Sequence, residues 1–277
     1  MNLPVRNSRI KLPLGQVFWR EVGQGPILVF LHGSWSDGSQ WLPVIDHLSQ
    51  DYHCFALDLL GFGDSEQPKL HYSIQLQVEC LFEYLEALHI PQVYLIGYSL
   101  GGWIAASYAL KYLDRVSGVV LLAPEGVQVE GQRENWQRTR WLIGRPPIAY
   151  GILRSLLPLA RLVGRHKPIE QALRRREQLK CSPTACQLLF QRRWSEIQAE
   201  LLEEQLDWLT VPTLIVQGKN DTAEAIARSR IFSDKTPNAQ LRMIDHGGND
   251  LAEALPELIA QYIHEFVNRV EGWKVEG

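Results

Sequence analysis

The chain has 277 residues, 45% of them hydrophobic and 21% charged, with a formal net charge of −3. That length accommodates one α/β domain carrying an insertion, and the composition is that of a soluble globular protein. So small a net charge points to no particular partner and gives no sign of a nucleic-acid-binding chain. The four cysteines, Cys54, Cys80, Cys181 and Cys186, form no C-x-x-C pair and no Cys/His group of zinc spacing. Reduced thiols in a cytosol-like compartment, with no metal site, are the expectation.

The first ten residues hold Arg6 and Arg9 but no apolar run of signal-peptide length. No stretch reaches the ~18 uninterrupted apolar residues of a spanning helix. Taken in order, Gln16–Val22 reads as a strand and Pro26–Leu31, P-I-L-V-F-L, as a second. So continuous an apolar run suits a strand buried on both faces of a parallel sheet. Helix Gln40–Ser49 follows, then strand His53–Asp58, helix Ser73–Leu88, strand Gln92–Ile96 and helix Leu100–Tyr112. Val116–Ala123 is the fifth strand. Pro212–Gln217 and Gln240–Ile244 complete the set, with helices at Thr222–Phe232 and Leu251–Val270. Alternation of this kind calls for right-handed βαβ crossovers, hence a mostly parallel, doubly wound sheet with helices on both faces.

The alternation breaks once. Residues 126–207 show helical segments interrupted by prolines and no convincing strand, which reads as a helical cap, or lid, inserted into a core of residues 1–125 and 208–277. Ligands of open α/β sheets bind at the carboxyl ends of the strands, the end a lid would cover. Residues 126–205 carry 14 Lys and Arg against 8 Asp and Glu. The segment Tyr150–His166 sets Arg154, Arg161 and Arg165 beside leucines. Two readings of this basic lid stand: a solvated face, or peripheral contact with a membrane surface by an otherwise cytoplasmic protein.

The strongest chemical signal is Gly97-Tyr98-Ser99-Leu100-Gly101-Gly102, placed directly after an apolar strand and directly before a helix. This is the G-x-S-x-G nucleophile elbow in its confirming context. The serine must occupy a tight, strained turn, and glycine two residues to either side removes a collision of side chains. The turn puts Ser99 at a helix N-terminus, where the Leu100 N–H can receive an oxyanion. His32-Gly33-Ser34-Trp35 follows the second strand, where a further oxyanion donor is supplied, the Ser34 N–H in this reading. His32 reads as structural, orienting that loop.

H-G-x-x, Asp58-Leu59-Leu60-Gly61-Phe62-Gly63-Asp64-Ser65, G-x-S-x-G-G and a G-x-x-D before the last strand together resemble the α/β-hydrolase superfamily, in particular its lidded esterase and C–C hydrolase branch. The resemblance spans nearly the whole chain outside the lid. It implies that the D-x-x-G-x-G-x-S segment is architectural and that nucleophile, acid and histidine follow in that order. Asp221, at a strand end in G-K-N-D, fits the acid; Glu125, just past the fifth strand, is the alternative.

After Asp221 only His246 and His264 remain, and His264 lies inside the last amphipathic helix. His246 stands in Ile244-Asp245-His246-Gly247-Gly248-Asn249-Asp250. The family's G-x-G-H, with a proline about seven residues later, instead aligns Asn249 with the histidine, since Pro256 is seven residues further on. Either the turn is reshaped and His246 is the general base, or the base is lost to Asn249; His246 is the preferred reading. The site then takes a small-molecule ester with no cofactor, with Trp35 and Trp103 as pocket candidates. A carboxylic-ester hydrolase with a lipophilic acyl substrate is the first expectation. A C–C hydrolase or lyase acting on a keto acid, and a catalytically impaired binding protein with its pocket intact, are the alternatives.

Overall fold

A computed structural model describes the backbone of residues 3–144 and 147–276, and the side chains of these except residue 178 and residues 273–276. In chain order its strands and α-helices run β1 (Arg6–Leu12), β2 (Gly15–Val22), β3 (Ile27–Leu31), α1 (Leu42–Leu48), β4 (His53–Asp58), α2 (Ile74–Ala87), β5 (Val93–Tyr98), α3 (Leu100–Lys111) and β6 (Val116–Leu122). Five helices follow: α4 (Gln132–Ile143), α5 (Ile148–Leu162), α6 (Lys167–Lys180), α7 (Pro183–Cys186) and α8 (Trp194–Gln198). The chain then returns to the sheet with β7 (Thr213–Gly218), α9 (Ala223–Lys235), β8 (Ala239–Ile244), α10 (Leu251–Ala254) and α11 (Pro256–Glu276).

The eight strands form one sheet in the order β1-β2-β4-β3-β5-β6-β7-β8. From β4 to β8 all neighbours are parallel, and β2 pairs antiparallel with both β1 and β4. Every residue of β5, β6 and β7 is buried, as a parallel sheet covered on both faces demands. Leu28 and Phe30 of β3 and Ile96 of β5 point into a core shared with Trp41, with Ile45 of α1 and with Ile259 and Ile263 of α11. Neighbouring positions on each strand point to the opposite face, where α3 runs across β3, β5 and β6.

Two sequence expectations change. Strand β1 was not anticipated: R-N-S-R-I-K-L is a mostly exposed edge strand, and its charged residues hide the apolar signal while protecting the edge from further pairing. The expected single helix Leu251–Val270 is two, because Pro256 cannot donate to the preceding turn and pushes Leu255 out of helical geometry (φ −134°, ψ 48°).

The described residues divide into two compact units. One comprises the chain up to Leu70, Ile74–Val129 and everything from Glu200 on; the other comprises His71–Ser73 and Glu130–Ala199. Residues 126–129 and 200–207, placed in the lid by the sequence reading, fall with the sheet unit: Leu202 N–H donates to the Gly126 carbonyl at 2.8 Å. The second unit holds α4 to α8 and no strand among its described residues. No helix among the described residues is long and apolar enough to cross a membrane. All four cysteines are free, three of them buried.

Candidate active site

Strand β5 runs into α3 through a single residue. Ser99 sits between them at φ 51°, ψ −109°, a conformation that costs a non-glycine residue on the order of 1–3 kcal/mol. Its backbone is clamped on both sides. The Ser99 N–H donates to the Leu122 carbonyl at 2.9 Å, and its carbonyl accepts from Trp103 and Glu125 N–H groups, both at 3.1 Å. A Cβ at Gly97 would lie 2.3 Å from the Gly101 carbonyl oxygen, and one at Gly101 would lie 2.2 Å from that of Leu31. Both glycines are therefore required by backbone contacts that cannot yield.

The bond from Trp103 to Ser99 opens the α3 ladder, so the Leu100 N–H lies ahead of it as one of the unpaired donors of a helix start. The loop after β3 lies alongside, since a Cβ on Gly33 would come within 3.7 Å of Ser99 Cβ. The Gly33 N–H donates to Gln40 Oε1 at 3.1 Å, which sets the path of the backbone into the buried Ser34. His32 is fully buried. Leu59 N–H donates to its Nε2 at 3.1 Å, and its Nδ1 lies 2.8 Å from the Gly33 carbonyl. Those partners fix the Nδ1–H tautomer, and burial lowers its pKa, keeping the ring neutral. His32 thus holds the loop after β3 against the end of β4.

Asp58, also fully buried, is the hinge of the D-x-x-G-x-G-x-S segment. Its carboxylate accepts from Arg20 (2.7 Å), Gly38 N–H (2.8 Å) and Asp64 N–H (2.7 Å), while Ser65 Oγ donates to its carbonyl at 2.6 Å. A Cβ at Gly63, where φ is +50°, would lie 2.1 Å from Asp58 Oδ2. The Asp58 carboxylate and the Ser65 hydroxyl, which also accepts from Phe18 N–H at 2.9 Å, are thus spent on holding the turn against its neighbours.

Asp221 follows β7. Gln217 Nε2 donates to its Oδ2 at 3.1 Å and Thr222 N–H to its Oδ1 at 2.6 Å. Thr222, not Asp221, caps α9, its Oγ accepting from Ala225 N–H at 3.2 Å. Glu125 lies half-buried after β6 with its backbone bonded to Ser99. The loop after β8 is pinned at two points. Asn220 N–H donates to the Gly247 carbonyl at 2.9 Å, and the Tyr98 hydroxyl donates to the Asn249 carbonyl. Burial raises the pKa of that phenol, and Asp221, Asp250, Glu253 and Glu125 add to the effect in that order. His246 is exposed and makes no hydrogen bond to Ser99 or Asp221. Beside it Asp245 pairs with Lys219 at 2.5 Å. His264 is engaged elsewhere, with the Tyr52 hydroxyl (3.0 Å) and Asn268 (2.9 Å).

Of the two pocket candidates, Trp35 is exposed, whereas Trp103 is buried, its indole N–H donating to the Glu200 carbonyl at 3.0 Å. The sequence reading overlooked Tyr98, Gln217 and Gln40, which position the elbow's neighbours. Tyr98 had a visible signal, as the variable residue of G-x-S. The two glutamines had none, since their partners come from turns. No group of three or more His, Cys, Asp or Glu side chains among the described residues could hold a metal ion.

A strained serine between glycines at the end of a central parallel strand, facing a helix N-terminus, defines an α/β-hydrolase-type elbow. The sequence profile of the alpha/beta hydrolase fold matches residues 26–253, and the chain belongs to that family. Among curated proteins it is similar to monoacylglycerol lipase ABHD6 of Homo sapiens, 26% identical over 260 residues, which cover 90% of this chain and 77% of the relative. Among solved structures, a membrane phospholipase A described as a bacterial virulence factor superposes with a TM-score of 0.74 at 23% identity, over 96% of this chain and 87% of that one. A meta-cleavage product hydrolase, CumD, does so at 0.73 and 23%, over 95% and 98%.

Proposed function

We propose that the chain is a serine hydrolase of carboxylic esters with a lipophilic acyl part. The observation that carries this reading is Ser99, held in a costly conformation by backbone bonds and by two glycines that admit no side chain. Strain of this kind persists where the surroundings enforce it, and it concentrates at active sites. In the proposed reaction Ser99 Oγ attacks the ester carbonyl while His246 accepts its proton, and the Ser34 and Leu100 amides receive the oxyanion. The His246 imidazolium, facing Asp221, then protonates the departing alcohol, and water releases the acyl group by the reverse sequence. All steps use groups of this chain. The similarity to a monoacylglycerol lipase over nine-tenths of the chain supports a lipophilic ester as the substrate class.

His246 must travel for this to occur, because it starts exposed and unpaired with either partner. Catalytic hydrogen bonds are often unmade before substrate binds, and Gly247 and Gly248 give the loop conformational freedom. A second reading has its own observation. Tyr98 donates to the Asn249 carbonyl, a contact that supports Asn249 rather than a histidine beside the elbow and suits a protein that binds an acyl ligand without turning it over.

Treating the protein with a fluorophosphonate and mapping the adduct separates the two. Labelling at Ser99, absent in Ser99→Ala and slowed in His246→Ala, supports the hydrolase and its base. No labelling under conditions where a control serine hydrolase reacts overturns it in favour of the binding protein.

A further inference from the structure

The sheet unit buries most of its large apolar side chains and leaves only scattered ones exposed, but helix α5 of the other unit leaves a row of them in solvent. Ile148 is 62% exposed, Leu159 62%, Leu162 83% and Val163, its C-cap, 70%, with Ile152 and Leu156 exposed between them. At about 100° per residue, positions 148, 152, 156, 159 and 163 fall within an arc of roughly 80°, which Leu162 widens to roughly 120°. The helix already has a separate packing face. Ala149 and Ala160 are buried and Leu153 and Leu157 half-buried on the side turned to α4 and α6. The exposed row is thus a second apolar face, unused within the protein, and contiguous apolar surface of this kind marks an interaction site.

Its surroundings say what covers it. Arg154 and Arg161 stand exposed on the third side of α5, with Arg165 and Lys167 exposed just beyond its end. Residues 130–199 hold 14 Lys and Arg against five Asp and Glu, although the whole chain is acidic at −3. Trp141, exposed on α4, borders the start of the row across a cleft of about 650 Å³ that Trp136, Arg140 and Ile148 also line. An apolar row with exposed Arg165 and Lys167 just beyond its end and a tryptophan at its rim, in a unit with surplus positive charge, matches the division of a bilayer surface into acyl chains and anionic headgroups. Pairing this face with a second copy would bring two surplus-positive surfaces together.

We propose that α5 is a peripheral membrane-docking helix. It lies in the plane of an anionic phospholipid bilayer with Ile148, Ile152, Leu156, Leu159, Leu162 and Val163 at the acyl boundary and with Arg165 and Lys167, just past its end, at the lipid phosphates. The inference is independent of turnover at Ser99.

The test is co-flotation of the purified chain with vesicles of phosphatidylglycerol and phosphatidylcholine, compared with vesicles of phosphatidylcholine alone. Wild type and Ser99→Ala should float equally with the anionic vesicles, and weakly with the neutral ones. Leu159→Glu and Leu162→Glu should each lower the bound fraction about tenfold, and Arg165→Gln with Lys167→Gln should weaken binding in a salt-dependent way. All four substituted positions are exposed, so circular dichroism should show the fold retained. Absence of flotation by the wild type overturns the proposal, as does flotation that Leu159→Glu leaves unchanged. A concentration-dependent dimer that Leu159→Glu dissociates, with no vesicle binding, overturns it in favour of a second copy as the occupant.

Discussion

The Tyr98 hydroxyl donates to the Asn249 carbonyl oxygen, joining the residue before Ser99 to the loop that follows β8. That bond holds the loop in an arrangement with His246 outside. Replacing the phenol hydroxyl in Tyr98→Phe should cost about 1 kcal/mol of stability, the net value of a typical hydrogen bond. It should also let the loop reshape. If His246 must travel to act, Tyr98→Phe will label with fluorophosphonate at least as fast as wild type. A variant slower in labelling, yet equally folded, would show that the observed loop is already the working one.

Asn249 and His246 make opposite demands on the same experiment. General-base assistance contributes about 10²–10⁴ to rate, so His246→Ala should lose at least about a hundredfold in labelling of Ser99. Asn249→His should then change the rate by no more than a few-fold. The reverse pattern, with His246→Ala silent and Asn249→His gaining about a hundredfold, would mean that the base had been replaced at 249 and that the substitution restored it.

Strain at Ser99 has a thermodynamic signature separable from chemistry. Glycine accepts positive φ without the Cβ penalty, so Ser99→Gly should abolish labelling while raising stability by about 1 kcal/mol. For a chain of this size that is a rise of about 2–4 °C in Tm. A fall in Tm would mean that the serine hydroxyl contributes more to the folded state than its backbone conformation takes away.

Most of the sheet was legible because parallel strands buried on both faces write unbroken apolar runs, such as I-L-V-F-L at β3 and V-S-G-V-V-L-L at β6. The elbow was legible because Gly97 and Gly101 are demanded by backbone contacts within a few residues of Ser99 or on the adjoining strand. What could not be read is long-range. Strand β1 gains its partner only by folding back on β2, and its own residues are polar. Whether His246 or Asn249 faces Ser99 depends on Tyr98, some 150 positions earlier, and no local pattern records that contact. Gln217 holds Asp221 across a turn that a sequence reading sees only as G-K-N-D.

His32 makes the loop after β3 sensitive to acid. Desolvation lowers its pKa from 6.5, outweighing the opposing pull of the Gly33 carbonyl and of Asp58 and Asp37. Above the unfolded value the ring is neutral in both states and its contribution to stability is fully present. As pH falls below about 6.5 the unfolded chain takes up a proton that the folded one resists, and stability is lost down to the folded pKa, at most about 1.4 kcal/mol per pH unit. His53, whose pKa burial also lowers, adds in the same direction. Urea unfolding at pH 7.5 and 5.5 should therefore show a larger loss for wild type than for His32→Gln. Asp37, with its lowered pKa, and Glu83, whose pKa burial raises, are common to both proteins and cancel in the comparison. Equal losses in the two proteins would mean that His32 takes up its proton in the folded state as readily as in the unfolded one, and the neutral ring assigned to His32 would be wrong.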